Sequence, residues 1–474
     1  MAELKPYAAY KDSAVPWLGQ VPEHWQLRRP KWLFRKMERP VRDEDQVVTC
    51  FRDGVVTLRK NRRVSGFTES LKEIGYQGIR RGDLVIHAMD VFAGAVGVSD
   101  SDGKGTPVYS VCQPESNANA QFYAYLVHEM ARSQWILALA TGIRERSTDF
   151  RYGDFACQSV PVPPLSEQVA IVRYLNHADR KVRRAIRTRQ QLIKLLTEQK
   201  QAIINRAVTR GLDPNVRLKP SGVPWLGDIP EHWEVRRLKS LLGTRITDGP
   251  HVTPTFVSDG VPFLSVDGIQ NGDLVFETCR YVSPEDHAEF RKKTSPHRDD
   301  ILLGKAASTG KIARVKVDFE FSIWSPLALI RPDQFQVVSP FLEYALKDFS
   351  SQAQIETLCT LNTQKNISMD DIPRVLLPLS PIAEQLAIVH HIEDATTNLD
   401  LAIDAARREI DLLREYRTRL IADVVTGKLD VRDVLVPVDK TDVMPEELVS
   451  IDDVEATDES DDVAETDPGS EENA

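Results

Sequence analysis

The sequence predicts an α/β (α+β) protein: two pseudo-symmetric mixed α/β domains and two long coiled-coil helices. Three observations carry this reading. A short arm occurs twice, a heptad-patterned segment occurs twice, and the regions between them differ. VPWLGQVPEHW (Val15–Trp25) returns as VPWLGDIPEHW (Val223–Trp233), 208 residues later. Between Ser13–Arg29 and Ser221–Arg237, 12 of 17 positions are identical. SEQVAIV (Ser166–Val172) returns as AEQLAIV (Ala383–Val389), now at an offset of 217 that holds as far as AVTRGLD and VVTGKLD. Self-similarity at a fixed offset is the mark of a repeated structural unit. The order is therefore arm, variable region, long segment, and the same again.

The long segments read as helix. Each opens after proline, in PVPPLSEQ and PLSPIAEQ, and closes near Gly211 or Gly427. Ser380 is the expected N-cap of the second, with Pro381 at the first helical position. Alternating steps of three and four from Val172 to Ala207 meet apolar residues at eight of eleven positions. The equivalent steps from Val389 to Val424 meet nine of eleven. That is a heptad seam, interrupted at Asp179/Thr396 and Lys200/Arg417. Such a narrow stripe favours a helical partner, and matching stripes in one chain suit one another.

The variable regions carry short apolar runs between turn signals, such as DLVIHA (Asp83–Ala88), PFLSVDG (Pro262–Gly268) and DILLGKAAS (Asp300–Ser308). Glycine, aspartate and proline punctuate them, as expected of mixed α/β domains rich in strands and loops. The expected organisation is a first domain at 1–160, a first helix at 161–212, a second domain at 213–379, a second helix at 380–432 and a tail at 433–474. Thr441–Ala474 holds 14 acidic residues and no lysine or arginine, a composition that buries too little apolar surface to fold. The net charge of −10 is therefore a property of the tail: residues 1–440 carry 60 basic and 56 acidic side chains. A mildly basic body permits a nucleic-acid partner without demanding one. The five cysteines are scattered without a CxxC pair, which argues against a zinc cage or a disulfide framework and suits a cytoplasmic protein. No apolar run reaches the length of a membrane span.

Motifs for catalysis fail on inspection. GKAASTGKI (Gly304–Ile312) looks like a phosphate loop, but five residues separate the glycines and isoleucine stands where a magnesium-binding hydroxyl belongs. HExxH, GxSxG and GxGxxG between strand and helix signals are missing, as is an Asn/Asp-Pro-Pro-aromatic motif for amino methylation. His24 and His232 recur with the arm, which favours a structural role over catalysis. No metal ligands or catalytic residues are assigned.

YKDSAVPWLGQVPEHWQLRR and PSGVPWLGDIPEHWEVRRLKSLL resemble the repeated arms of specificity subunits of type I restriction-modification systems. PVPPLSEQVAIVRYL and LPLSPIAEQLAIVHHI resemble the openings of their long helices, and the variable regions resemble their target-recognition domains. The resemblance covers about residues 7–432. It implies two target-recognition domains separated by two long antiparallel coiled-coil helices that act as a ruler. It implies a non-catalytic subunit reading a two-part target in double-stranded DNA. It also implies two methyltransferase subunits and restriction (translocase-nuclease) subunits as partners, with S-adenosylmethionine, ATP and magnesium belonging to those partners. The alternatives are a stand-alone nuclease or methyltransferase, and a coiled-coil scaffold that does not bind DNA.

Side chains able to read base edges or hold phosphates give the candidate contacts. In the first variable region they are Arg59, Lys60, Asn61, Arg62, Arg63, Arg80, Arg144, Arg146 and Arg151. In the second they are Thr247, His251, Thr253, Lys305, Lys311, Asn362, Gln364, Lys365 and Asn366, with the basic run Arg291–Lys293 nearby.

Overall fold

The structure, a computed structural model, describes residues 4–62, 74–139, 149–361 and 365–437. The chain divides into two compact units, Met1–Thr188 with Glu409–Ala474, and Arg189–Arg408.

The first unit is built on a four-stranded antiparallel sheet. Its spatial order is Phe34–Lys36, Tyr109–Pro114, Leu84–His87, Val96–Val98. Leu84, Val85 and Ile86 are buried on both faces of the sheet, which is why this run reads as continuously apolar. The helix Ala120–Arg132 lays Phe122, Leu126, Val127 and Met130 on the core, and Asn119 caps it by accepting from the backbone of Gln121 and Phe122. The second unit repeats the sheet in the same order: Thr247–Asp248, Leu327–Ile330, Ile301–Gly304, Ile312–Arg314. It adds a further four-stranded sheet with one parallel pair, Phe263–Leu264 beside Ser322–Ile323.

The arms are alike strand for strand. Tyr10–Asp12 pairs with Gln20–Pro22, and Gln26–Arg28 with Val160–Val162. In the second copy Leu218–Pro220 pairs with Asp228–Pro230, and Glu234–Arg237 with Leu376–Leu379. Each arm thus zips onto the strand that leads into its long helix. Trp25 and Trp233 are fully buried, but Trp17 is half-buried and Trp225 is 45% exposed, so the second tryptophan of each arm, not the first, anchors it in the core.

The long helices run Leu165–Arg210 and Ile382–Val425. Every seam position from Val172 to Ala207 and from Val389 to Val424 is buried or half-buried. In the first unit the seam interruption Asp179 pairs with the interruption Arg417 on the second helix. In the second unit Lys200 pairs with Asp400 at 2.6 Å. The charged interruptions Asp179, Arg417 and Lys200 therefore meet opposite charges, within each unit, instead of being left unpaired in the stripe. Burial pushes the Asp179 carboxyl up, but Arg417 and Arg183 outweigh it and hold the group below its ordinary value.

Both helices end at a glycine in the left-handed region, Gly211 (φ +71°) and Gly427 (φ +80°). A Cβ on Gly427 would lie 2.4 Å from Pro22 Cδ and 2.9 Å from Trp25 Cη2, so the helix end seats directly against the arm. Ser380 does not cap the second helix. Its hydroxyl is buried without a hydrogen-bond partner among the described residues, and the Gln385 side chain closes the entry by donating to the Ser380 carbonyl at 2.8 Å.

Candidate nucleic-acid interface and its anchoring clamps

Two kinds of site emerge, one repeated and one not. The repeated site lies where each arm meets the first turn of its long helix. Trp25 Nε1 donates to Glu167 Oε1 at 2.9 Å, the Tyr7 hydroxyl donates to the same oxygen at 2.6 Å, and His24 Nε2 lies 2.8 Å from Oε2. In the second copy His232 Nε2 and Trp233 Nε1 lie 2.9 Å and 3.1 Å from Glu384 Oε2. Burial, and then the bond to Glu167, push the Tyr7 phenol well up.

The glutamine that follows each glutamate is fully enclosed and faces the other way. Gln168 donates to the carbonyls of Asn117 and Pro163 and accepts from the Asn119 backbone at 2.8 Å. Gln385 donates to the carbonyls of Gln336 and Ser380 and accepts from the Val338 backbone at 2.9 Å. Asn119 and Val338 are the caps of the domain helices Ala120–Arg132 and Ser339–Lys347. The Glu-Gln pair is thus a joint: glutamate holds the arm and glutamine holds the variable domain. His24 and His232 each sit on the glutamate of their joint.

The unrepeated site is clearest in the second unit, where candidates spread over 120 residues converge. Thr247 lies on an edge strand opposite Leu329, and the following loop leaves His251 and Thr253 exposed. Lys305 and half-buried Lys311 bracket a compact loop that closes on itself, Gly304 N bonding Lys311 O and Gly310 N bonding Gly304 O, both at 2.8 Å. This loop leads into the strand Ile312–Arg314, not into a helix, so it cannot supply the helix-backed cradle of a nucleotide site. It is stitched to the hairpin carrying Lys365 and Asn366: Thr309 Oγ1 donates to Lys365 O at 2.9 Å, and Ala306 bridges Asn366. Lys365 also pairs with Glu356, and Asn366 is exposed. Asn362 and Gln364 lie outside the described residues.

The first unit is more dispersed. Arg59, Lys60 and Asn61 form a short turn in which Arg59 bonds Thr49, Asn61 bonds Thr57 and Lys60 is exposed. Arg62 stacks over the Phe51 ring at 4.5 Å and pairs with Asp53 at 2.9 Å. Arg80 is enclosed, bonded to Asp45 and to the carbonyls of Ile79 and Gly103. Its donors hold loops together rather than face solvent. Arg151 is exposed beside Asp149 at 2.7 Å. Arg63, Arg144 and Arg146 lie outside the described residues.

Sequence reasoning passed over Asp248 and undervalued Lys293. Asp248 sits in TDGPH, and an acidic residue in a candidate DNA-facing loop counts against contact when charges are simply summed. Among the described residues, no group of three or more His, Cys, Asp or Glu is arranged to hold a metal ion. No described helix is long and apolar enough to cross a membrane.

No family model matches the chain. It is 25% identical over 283 residues to the type I restriction enzyme MjaVIII specificity subunit of Methanocaldococcus jannaschii, covering 58% of this chain and 63% of that protein. The match therefore spans under two thirds of that relative's own length. The putative MjaX specificity subunit of the same organism is 23% identical over 440 residues, 88% of this chain and 96% of that protein. Among solved structures, a chain from work on complex assembly and conformational transition of the type I R-M system superposes with a TM-score of 0.59 at 18% identity, covering 86% of this chain and 99% of that one. With arm, variable domain and helix occurring twice in the same order, and with both clamps joining the arm's histidine and tryptophan to a glutamate, the chain belongs to the specificity subunits of type I restriction-modification systems.

Proposed function

We propose that each β-rich domain of this specificity subunit reads one half of a two-part target in double-stranded DNA. The observation that carries the reading is the contrast between the two kinds of site. The clamps around Glu167 and Glu384 share a tryptophan, a histidine and a glutamate, while the loops they bracket differ. A repeated frame with divergent loops suits an asymmetric sequence read at a set spacing, because half-site separation follows from protein geometry. Helices of 46 and 44 residues, at about 1.5 Å per residue, offer a ruler of roughly 65 Å. Direct contact is expected from Lys60 and Arg151, with Arg59 and Arg62 behind them, in the first domain. In the second it is expected from Thr247, His251, Thr253, Lys311, Lys365 and Asn366, with buried Lys305 behind them.

The chain itself carries no catalytic step in this reading. Two methyltransferase subunits dock on the helices, and restriction subunits join them. S-adenosylmethionine, ATP and magnesium are used by those partners in the cytoplasm. The test is to co-express the chain with its methyltransferase partner and map genomic methylation. A methylated two-part motif is expected, and an intact complex that leaves no such motif overturns the reading.

A further inference from the structure

Asp248 ends the strand Thr247–Asp248, and its carboxylate is buried. Two lysines and a histidine converge on it from separate segments. Lys293 Nζ lies 2.5 Å away, Lys305 Nζ 2.9 Å and His251 Nε2 3.3 Å. Lys293 also donates to Gly249 O at 3.1 Å, and Thr294 Oγ1 donates to Asp248 O at 2.6 Å. One carboxylate cannot neutralise two ammonium groups, so the cluster keeps net positive charge whether or not His251 is protonated.

The backbone beneath the cluster has little freedom. A Cβ on Gly249 would meet the Ile323 carbonyl oxygen at 1.9 Å, so only glycine lets this turn approach so closely. Lys305 is held on both sides, its N–H bonding Pro326 O at 2.8 Å and its carbonyl accepting from Ile367 N at 2.9 Å. Ala307, in the same loop, adopts φ +60°, a conformation that costs a non-glycine residue about 1 kcal/mol and that persists where the surroundings impose it.

A lone surface lysine loses about 2 kcal/mol of rotamer freedom when a ligand immobilises it. Here a buried carboxylate has already ordered half-exposed Lys293 and also binds enclosed Lys305. An ammonium is a point charge suited to phosphate oxygens, and excess positive charge on preorganised loops is an anion site.

We propose that Lys293, positioned by Asp248 and backed by the enclosed charge of Lys305, holds a backbone phosphate of double-stranded DNA beside the half-site of the second domain. This rests on the reading of the chain as a DNA-specificity subunit. Asp248 is a positioning residue that acts through the lysines, so removing its negative charge has the opposite sign to that expected from charge counting alone.

The experiment uses the complex with its methyltransferase partner and a duplex carrying the methylated motif, with affinity measured from about 50 to 200 mM salt. Lys293→Ala is expected to bind about tenfold more weakly and to lower the logarithmic salt slope by about one unit. Asp248→Asn is expected to weaken binding by a similar factor although it adds net positive charge. Binding by folded Asp248→Asn that is unchanged or tighter, or an unchanged slope in Lys293→Ala, overturns the proposal. If Asp248→Asn does not fold, Lys293→Ala decides the matter, because the Lys293 side chain is half exposed. A wild-type complex that methylates its motif while Lys293→Ala keeps the full slope sinks the phosphate site alone. A wild-type complex with no salt-sensitive DNA affinity overturns the specificity reading as well.

Discussion

Trp25 Nε1 donates to Glu167 Oε1 at 2.9 Å across 142 residues of sequence. The Glu167 carboxylate is nearly enclosed, with a side-chain exposure of 4%, whereas Glu384 in the equivalent joint is 28% exposed. Tyr7 has no aromatic counterpart in the second arm, where Asn215 takes its place in the repeat. Glu167→Ala strands two buried donors, the Tyr7 hydroxyl and Trp25 Nε1, besides the exposed His24 ring, and each buried donor costs about 1–3 kcal/mol when left unpaired. The expected loss is about 3–4 kcal/mol in the first unit, against about 1–2 kcal/mol in the second for Glu384→Ala. Hydrogen exchange resolved over each unit of the full chain measures both. Equal losses would mean that burial does not set the strength of the joint.

Gln168 and Gln385 are each fully enclosed and make three hydrogen bonds. Gln385→Leu keeps the volume but leaves two carbonyls and one backbone N–H unpaired. A loss of about 3 kcal/mol is expected on urea unfolding. Gln385→Glu is expected to lose more, because a buried carboxylate next to two carbonyl oxygens is repelled and desolvated. A glutamate variant as stable as wild type would mean that water reaches this joint.

Much of the frame was legible in the sequence. Period-3.5 spacing is a local signal, so the seams from Val172 and Val389 could be read without contacts. The duplication supplied the order of parts. The partner of Glu167 was not legible, since 142 residues separate it from Trp25 and nothing local joins them. Ser380 misled because its type suits a cap, yet Gln385 reaches the Ser380 carbonyl and closes the helix entry. For the site, charge clusters located the loops around Lys305 and Lys365 but could not say which cations are spent inward. Arg80 looks like a contact by type and is enclosed on Asp45. Asp248 looks unsuitable by type and organises two lysines and a histidine.

Asp179 and Arg417 interrupt the two seams and pair with one another, and Arg183 shares the same carboxylate at 2.6 Å. Arg417→Leu would leave the seam more apolar but remove a partner from a largely buried acid. A loss of about 1–3 kcal/mol is expected. The double variant Asp179→Leu with Arg417→Leu is expected to recover most of it, since breaking such a pair costs more than replacing it. Thermal unfolding of the two single variants and the double closes the cycle. A double variant no better than the sum of the singles would show that the two residues do not act as a pair.

His128 lies beneath two glycine turns. A Cβ on Gly54 would stand 2.3 Å from its Nε2, and one on Gly94 3.4 Å from its ring. Burial pushes the imidazole down to about 4, a bond to the Val96 backbone only partly opposing it. Between pH 6.5 and about 4 the unfolded chain therefore binds a proton that the folded ring refuses. The stabilisation is complete above pH 6.5 and is lost as pH falls through that window, on the order of 2–3 kcal/mol. The Asp179 carboxyl, held below its ordinary value, loses its contribution only at lower pH, and His87, also pushed down by burial, adds a smaller part of the same sign. Urea unfolding of the full chain at pH 7.5 and 4.5 is expected to show the drop, and His128→Gln is expected to shrink it by half or more. A variant with the wild-type pH profile would place the acid sensitivity elsewhere.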